Sequence, residues 1–127
     1  MYSDWLTAFM VTAILIVIDF ISGVSAAAKN GELSSKEMRN GLWHKFAYML
    51  VIGASATMEY ATKHLDMGMS MPIFIPVCIA ICLIEITSTI ENCIKLNPEI
   101  KNERIISIFN KFDDANKGND DRKDGER

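Results

Sequence analysis

The chain has 127 residues, of which half are hydrophobic, and a formal net charge of −3. A chain of this length forms one domain or one small helix bundle, and it carries no basic stripe of the kind that marks a nucleic-acid site. Mean hydropathy is only +0.15. The apolar residues are concentrated in the first ~90 positions, whereas the last ~30 are polar and charged.

Three apolar stretches are each long enough to cross a bilayer, since a helical span needs about 20 residues to cover roughly 30 Å of hydrocarbon. They cover about residues 5–28, 42–62 and 71–92. Parts of the first and third, residues 10–18 and 73–84, are apolar around the whole helix. No basic residue precedes the first stretch, which we interpret as a retained span rather than a signal peptide. The sequence therefore predicts an all-α membrane protein with three transmembrane helices.

Short polar connections separate the spans. An Asn-Gly pair at 30–31 indicates a turn, and Ser34 or Ser35 is suited to cap a short helix before the second span. Pro72 suits the first turn of the third span, and Pro76, one turn further on, favours a bend at the entry.

The chain becomes polar beyond the third span. Asn97, Pro98 and Glu99 are typical of a helix start. Apolar residues at i, i+3, i+4 and i+7 predict an amphipathic cytoplasmic helix over 96–112, which either lies on the membrane surface or docks onto the loops of the bundle. Residues 113–127 predict a disordered charged tail. The apolar positions of the helix are Ile105, Ile108, Phe109 and Phe112.

Basic residues predict the orientation. They are concentrated between the first two spans and in the C-terminal segment, whereas Lys63 is the one lysine between the second and third spans. The positive-inside rule then places the N-terminus outside and the C-terminus in the cytoplasm.

Each apolar stretch also contains an acidic residue. A carboxylate at membrane depth costs on the order of 2.5 kcal/mol or more, so such residues are usually buried against each other or against water. Asp19, Lys45 and Glu85 are all expected in the inner half of the membrane, where a lysine between two carboxylates would form a paired buried set. Glu59 lies near the outer end of the second span, and we interpret it as an interfacial residue satisfied by Lys63 or by water.

Polar residues form a stripe on the third span, within about a third of the helix circumference, with Glu91 at its flank. Small residues repeat every four positions beside Asp19 and in the second span, which favours close helix packing. The stripe either holds the helices together, or faces a lumen shared by several copies, or belongs to an ion or proton path that uses Asp19 and Glu85. The stripe consists of Cys78, Cys82, Glu85, Ser88, Thr89 and Asn92, and the small residues are Gly23, Ala27, Gly53 and Thr57.

No catalytic constellation is present in the sequence. His44 and His64 are isolated, each near a predicted membrane boundary, and there is no Gly-rich phosphate loop. The cysteines are odd in number and are interpreted as packing residues rather than metal ligands. The sequence therefore predicts neither an enzyme nor a bound cofactor or metal.

Several motifs together resemble those of a known family. Residues 19–23 match an Asp-x-x-(Thr/Ser)-Gly feature, and residues 85–92 match a Glu-x-x-Ser-x-x-Glu-Asn feature. Between them lie residues 31–36 (GELSSK), Gly41 and Lys45. In this order and spacing, the chain resembles a phage holin of the toxin-secretion/phage-lysis type, found in phages and prophages of Gram-positive bacteria. Ile84 departs from the family, which often has Asn there, and only one proline, Pro98, follows Asn97.

The resemblance implies a protein that accumulates in the cytoplasmic membrane and then assembles into large homo-oligomers. The resulting holes let a cell-wall hydrolase (an endolysin) or a toxin leave the cell. The implied partners are the lipid bilayer, further copies of the chain and the exported protein. Two alternatives remain open: a small structural or regulatory membrane protein without a pore, and a small ion or proton channel.

Overall fold

The protein forms three long α-helices in a computed structural model that describes residues 2–101, 107–108, 110–111 and 114–115. No strand occurs among these residues, so the predicted all-α class is confirmed. The elements are α1 (Tyr2–Asn30), α2 (Ser35–His64), α3 (Phe74–Leu96) and a short 3₁₀ helix (Pro98–Lys101).

Two of the helices, α1 and α3, are long and apolar enough to cross a membrane. At 30 residues, α2 also has sufficient length. Its apolar residues are diluted by small and weakly polar ones, for example in the run 53–57 (GASAT). The assignment of α2 as a third span therefore stays a prediction.

The predicted short helix after the first turn and the predicted second span are one continuous helix. Gly31 has a φ of +69°, a conformation that glycine adopts without steric cost. Ser34 is the N-cap of α2, and its hydroxyl accepts a hydrogen bond from the Glu37 N–H at 3.1 Å. No proline follows before residue 64, so nothing in the chain ends the helix at the predicted boundary.

The third helix begins later and ends later than predicted. It starts at Phe74, so Pro72 precedes the helix. Pro76 lies in the first turn, where the backbone N–H groups have no intrahelical acceptor and a proline removes no helical hydrogen bond. The helix then continues to Leu96.

The predicted C-terminal elements lie largely outside the described residues. Asn97 Oδ1 accepts a hydrogen bond from the Glu99 N–H at 3.2 Å, at the start of the 3₁₀ helix. Of the apolar positions expected in the amphipathic helix over 96–112, Ile108 is described and is exposed. Ile105, Phe109 and Phe112 lie outside the described residues, as does nearly all of the tail over 113–127.

The helices are not equally well packed. α1 packs mainly against α3, whereas α2 makes fewer contacts with α3 and the fewest with α1. Lys29 Nζ donates a hydrogen bond to the Leu96 carbonyl, and the rings of Trp5 and Phe74 lie 4.8 Å apart at the opposite ends of the same helices. α1 and α3 therefore run parallel, and α2 returns antiparallel to both.

Candidate functional site

The contact between α1 and α3 contains a row of buried polar side chains. Buried residues recur on α1 at intervals of three or four, which places them on one helix face. Thr12 Oγ1 lies 3.3 Å from Cys82 Sγ across this contact. Polar and small residues associate helices effectively in lipid, where burial of apolar surface provides little driving force. The buried residues are Thr12, Ile16, Asp19, Ser22 and Ala26 of α1 and Phe74, Cys78, Ile81 and Glu85 of α3.

Helix α2 contributes a cation to this contact. Lys45 Nζ forms ion pairs with both Asp19 Oδ2 and Glu85 Oε2. Asp19 is 6% exposed and Glu85 is 1% exposed, so both carboxylates are buried within the bundle. The structure thus brings together three charged residues from three helices, which the sequence had placed at similar depth.

An amide completes this group of polar residues. Asn92 Nδ2 donates to Asp19 Oδ1 at 3.2 Å and lies 3.1 Å from Ser22 Oγ. Both carboxylate oxygens of Asp19 therefore have a donor, one from α2 and one from α3. We refer to Asp19, Ser22, Lys45, Glu85 and Asn92 as the Lys45 cluster. Two carboxylates face one ammonium within it, so the fully ionised cluster has a formal charge of −1.

The other stripe residues of α3 lie in different surroundings. Ser88 and Glu91 line a shallow groove on the outer surface of the helix, together with Thr87. The hydroxyl oxygen of Thr89 is buried and has no hydrogen-bond partner among the described residues. The stripe therefore divides into an edge that contacts α1 and α2 and an edge that faces outward. A role for Ser88, Thr89 and Glu91 in lining a pore stays a prediction.

The two pairs of small residues also differ. A Cβ atom on Gly23 would lie 3.4 Å from Asn92 Nδ2, so this glycine lies against the Lys45 cluster, and Ala27 lines a cleft beside it. Gly53 and Thr57 are exposed, and a Cβ atom on Gly53 would meet nothing within 4 Å. A packing role for Gly53 and Thr57 stays a prediction, and it would require contacts with another molecule.

Enlarging residue 23 is expected to disturb the Lys45 cluster. Gly23→Ala places a methyl group at ordinary contact distance from Asn92 and should be tolerated. Gly23→Leu overfills the contact, and overpacking typically costs about 1–3 kcal/mol. Thermal unfolding of the purified protein in detergent, followed by circular dichroism, measures the effect. Gly53→Leu is the matched control, because it adds the same side chain to a helix surface. Equal unfolding temperatures for the two leucine variants would contradict the assigned contact.

A cleft of about 220 Å³ reaches the Lys45 cluster from one end of the bundle. It lies between the second half of α1 and the first half of α2. Apolar side chains, including Phe20, Leu33 and Met38, form its walls, and Asp19 and Lys45 lie within its lining. No residue of α2 before Ile52 is buried. The first half of α2 therefore diverges from α1, and Lys45 connects across the gap.

A second buried acid lies at the other end of α2. Glu59 is 4% exposed, and its Oε1 pairs with Lys63 Nζ at 2.5 Å. Its Oε2 accepts a hydrogen bond at 2.8 Å from the N–H of Phe74, the first residue of α3. Thr62 adds a nearby contact, since its hydroxyl lies 3.3 Å from the Met71 N–H. We refer to Glu59, Lys63 and Phe74 as the Glu59 cluster.

The sequence predicted the pairing of Glu59 with Lys63 but not the contact with α3. Ile73, the N-cap residue of α3, makes no side-chain capping bond. The Phe74 N–H is thus one of the orphan donors of a helix start, and a carboxylate there also complements the positive end of the helix dipole. Two features of the sequence could have predicted this contact: an apolar residue at the N-cap of α3 and an acidic residue near the end of the preceding helix.

Comparison with known proteins identifies one family. A family model described as the bacteriophage holin family matches residues 1–114 of the chain. No curated protein and no solved structure matches the chain. The matched region includes all three long helices, the Lys45 cluster and the Glu59 cluster.

Proposed function

Since the chain belongs to the bacteriophage holin family, we propose that it assembles into homo-oligomeric lesions in the bacterial cytoplasmic membrane. These lesions would release an endolysin or a toxin and thereby lead to lysis of the host cell. The family is one of membrane proteins rather than enzymes, and the apolar helices α1 and α3 agree with that membership.

The main structural support for this proposal is the Lys45 cluster. It places two carboxylates, an ammonium and an amide between apolar helices, where each isolated charge would cost about 2.5–3.5 kcal/mol. Within one protomer these groups satisfy each other. In an oligomer the same groups can face water instead, so the protein has two arrangements in which its polar residues are satisfied.

A three-span topology agrees with these contacts. Asp19 and Glu85 belong to the two helices that qualify as spans, and Lys45 must lie at their depth to pair with both. The 30 residues of α2 extend about 45 Å at a rise of 1.5 Å per residue. We infer that α2 crosses the membrane antiparallel to α1 and α3. The distribution of basic residues then favours an outer N-terminus and a cytoplasmic C-terminus.

The second candidate is a small structural or regulatory membrane protein. It is favoured by the closure of the Lys45 cluster within a single protomer, since polar residues also serve to hold helix bundles together. A small ion or proton channel is a third candidate, based on Asp19 and Glu85. These functions differ in what crosses the membrane.

Induced expression in bacteria separates the candidates. The chain is produced with and without a co-expressed endolysin that lacks a secretion signal, and culture turbidity and membrane potential are followed together. We expect the membrane potential to collapse abruptly. When the endolysin is present, culture turbidity should fall at the same time. Loss of the potential without endolysin release would indicate a channel, and no change in either would indicate a structural protein.

A further inference from the structure

Helix α2 is attached to the rest of the molecule in an unusual way. α1 and α3 share the largest helix contact, whereas α2 has few contacts with either. Of the four buried residues of α2, three are polar: Ser55, Glu59 and Thr62. Ile52 is the one buried apolar residue, and it joins a small core that includes Cys78 of α3. Apolar contact of α2 with the core is therefore limited to Ile52 and the partly buried Tyr48 and Ala56.

Two polar clusters also hold α2, one about a third of the way along the helix and one near its C-terminal end. Toward its start, Lys45 pairs with Asp19 and Glu85. Toward its end, Glu59 accepts the Phe74 N–H. Lys45 and Glu59 are 14 positions apart, which corresponds to about 21 Å along the helix axis. The two clusters thus fix α2 to the α1–α3 pair at two separate points along the helix.

The Glu59 cluster connects α2 to both α1 and α3. Lys63 is one turn from Glu59 on the same helix, and its Nζ also lies 5.1 Å from the centre of the Trp5 ring on α1. Trp5 in turn contacts the Phe74 ring. The carboxylate therefore meets the α3 backbone while its cationic partner lies over α1, so all three helix ends are joined at this point.

We propose that Glu59 is a positioning residue that holds α2 against the α1–α3 pair, and that α2 is the helix that separates from this pair when a lesion forms. The inference rests on the proposed function and names the moving helix. Separation breaks both clusters while leaving the α1–α3 contact intact. It uncovers Asp19, Glu85 and Asn92 together, which are the polar groups that an aqueous lumen requires.

The native cysteines provide a test that does not depend on lysis. Cys78 is 2% exposed and lies in a core that includes Ile16 of α1 and Ile52 of α2, so separation of α2 should uncover one side of it. Cys82 contacts Thr12 and therefore reports on the α1–α3 contact. Two reporter proteins are made in which one of these is the sole cysteine, the others being replaced by serine. Labelling by N-ethylmaleimide is measured in isolated membranes.

Glu59→Ala is expected to increase the labelling rate of Cys78 about tenfold, because a buried N–H loses its acceptor and α2 loses one of its two attachments. Labelling of Cys82 should be unchanged. Glu59→Gln retains an acceptor oxygen and should give an intermediate rate. Asp66→Asn is the control, since it removes an acid from the exposed loop at the same end of α2.

The outcomes separate the two proposals. A Cys78 rate in Glu59→Ala that equals the Asp66→Asn rate would overturn the role of Glu59, and so would equal increases at Cys78 and Cys82, which indicate general loosening. Selective labelling of Cys78 without permeabilisation by any form of the protein supports the positioning role and contradicts the lesion-forming function. In cells, Glu59→Ala should bring lysis forward.

Discussion

Replacing Glu85 by leucine is expected to abolish permeabilisation while leaving the protein in the membrane. Glu85 is 1% exposed at the contact of three helices, and its carboxylate pairs with Lys45. Leucine removes the carboxylate and leaves Lys45 paired with Asp19, so the remaining charges balance. An apolar side chain of similar size on an apolar helix should not hinder insertion. The polar surface required for a lumen, however, loses its central residue.

The prediction for Glu85→Leu is measured as two quantities in the same cells: the amount of protein in the membrane fraction and the time at which the membrane potential collapses. Membrane levels should match those of the unaltered chain, and collapse should not occur within several times the normal interval. Glu99→Leu is the matched control, because Glu99 is exposed in the 3₁₀ helix outside α3. Permeabilisation at the normal time by Glu85→Leu would refute a role for the Lys45 cluster in the lesion.

The meeting of Asp19, Lys45 and Glu85 could be anticipated from the sequence for a simple geometric reason. In a bundle of spanning helices, depth follows from sequence position at about 1.5 Å per residue, and charges at equal depth within apolar helices pair with one another. Pairing by depth does not depend on side-chain rotamers. It also tolerates errors of a few residues at the helix ends, such as the start of α3 at residue 74 rather than 71.

The role of Glu59 could not be anticipated in the same way, because it depends on those helix ends. A carboxylate that accepts a hydrogen bond from a helix start must meet one particular N–H group. With α3 predicted to start at about 71, several N–H groups near Pro72 could have been the free donors, and nothing in the sequence singled out the one at Phe74. The division of the α3 stripe was missed for another reason. Helical periodicity groups residues by angle, but it does not say which edge of the group a neighbouring helix covers.

Replacing Lys45 by methionine is expected to cause the largest loss of protein stability. Methionine matches the length and apolar stem of lysine but leaves Asp19 and Glu85 buried without this cation. Removing one partner from a buried ion pair typically costs about 3–5 kcal/mol, which is a large part of the stability of a small domain. The variant should therefore fail to accumulate in the membrane and should be degraded. Immunoblots of membrane fractions after a chase measure the loss. Lys36→Met, at an exposed position in the first turn of α2, should accumulate normally.

A triple variant separates charge imbalance from loss of packing at Lys45. Combining Lys45→Met with Asp19→Asn and Glu85→Leu removes all three charges, and replacement of a whole buried ion set by uncharged residues is often neutral or stabilising. We therefore expect the triple variant to accumulate again but to remain unable to permeabilise cells. Failure to accumulate would mean that Lys45 acts through its contacts with α1 and α3 rather than through its charge. Recovery of both accumulation and lysis would show that the charges of the cluster only hold the helices together and that the lesion does not require them.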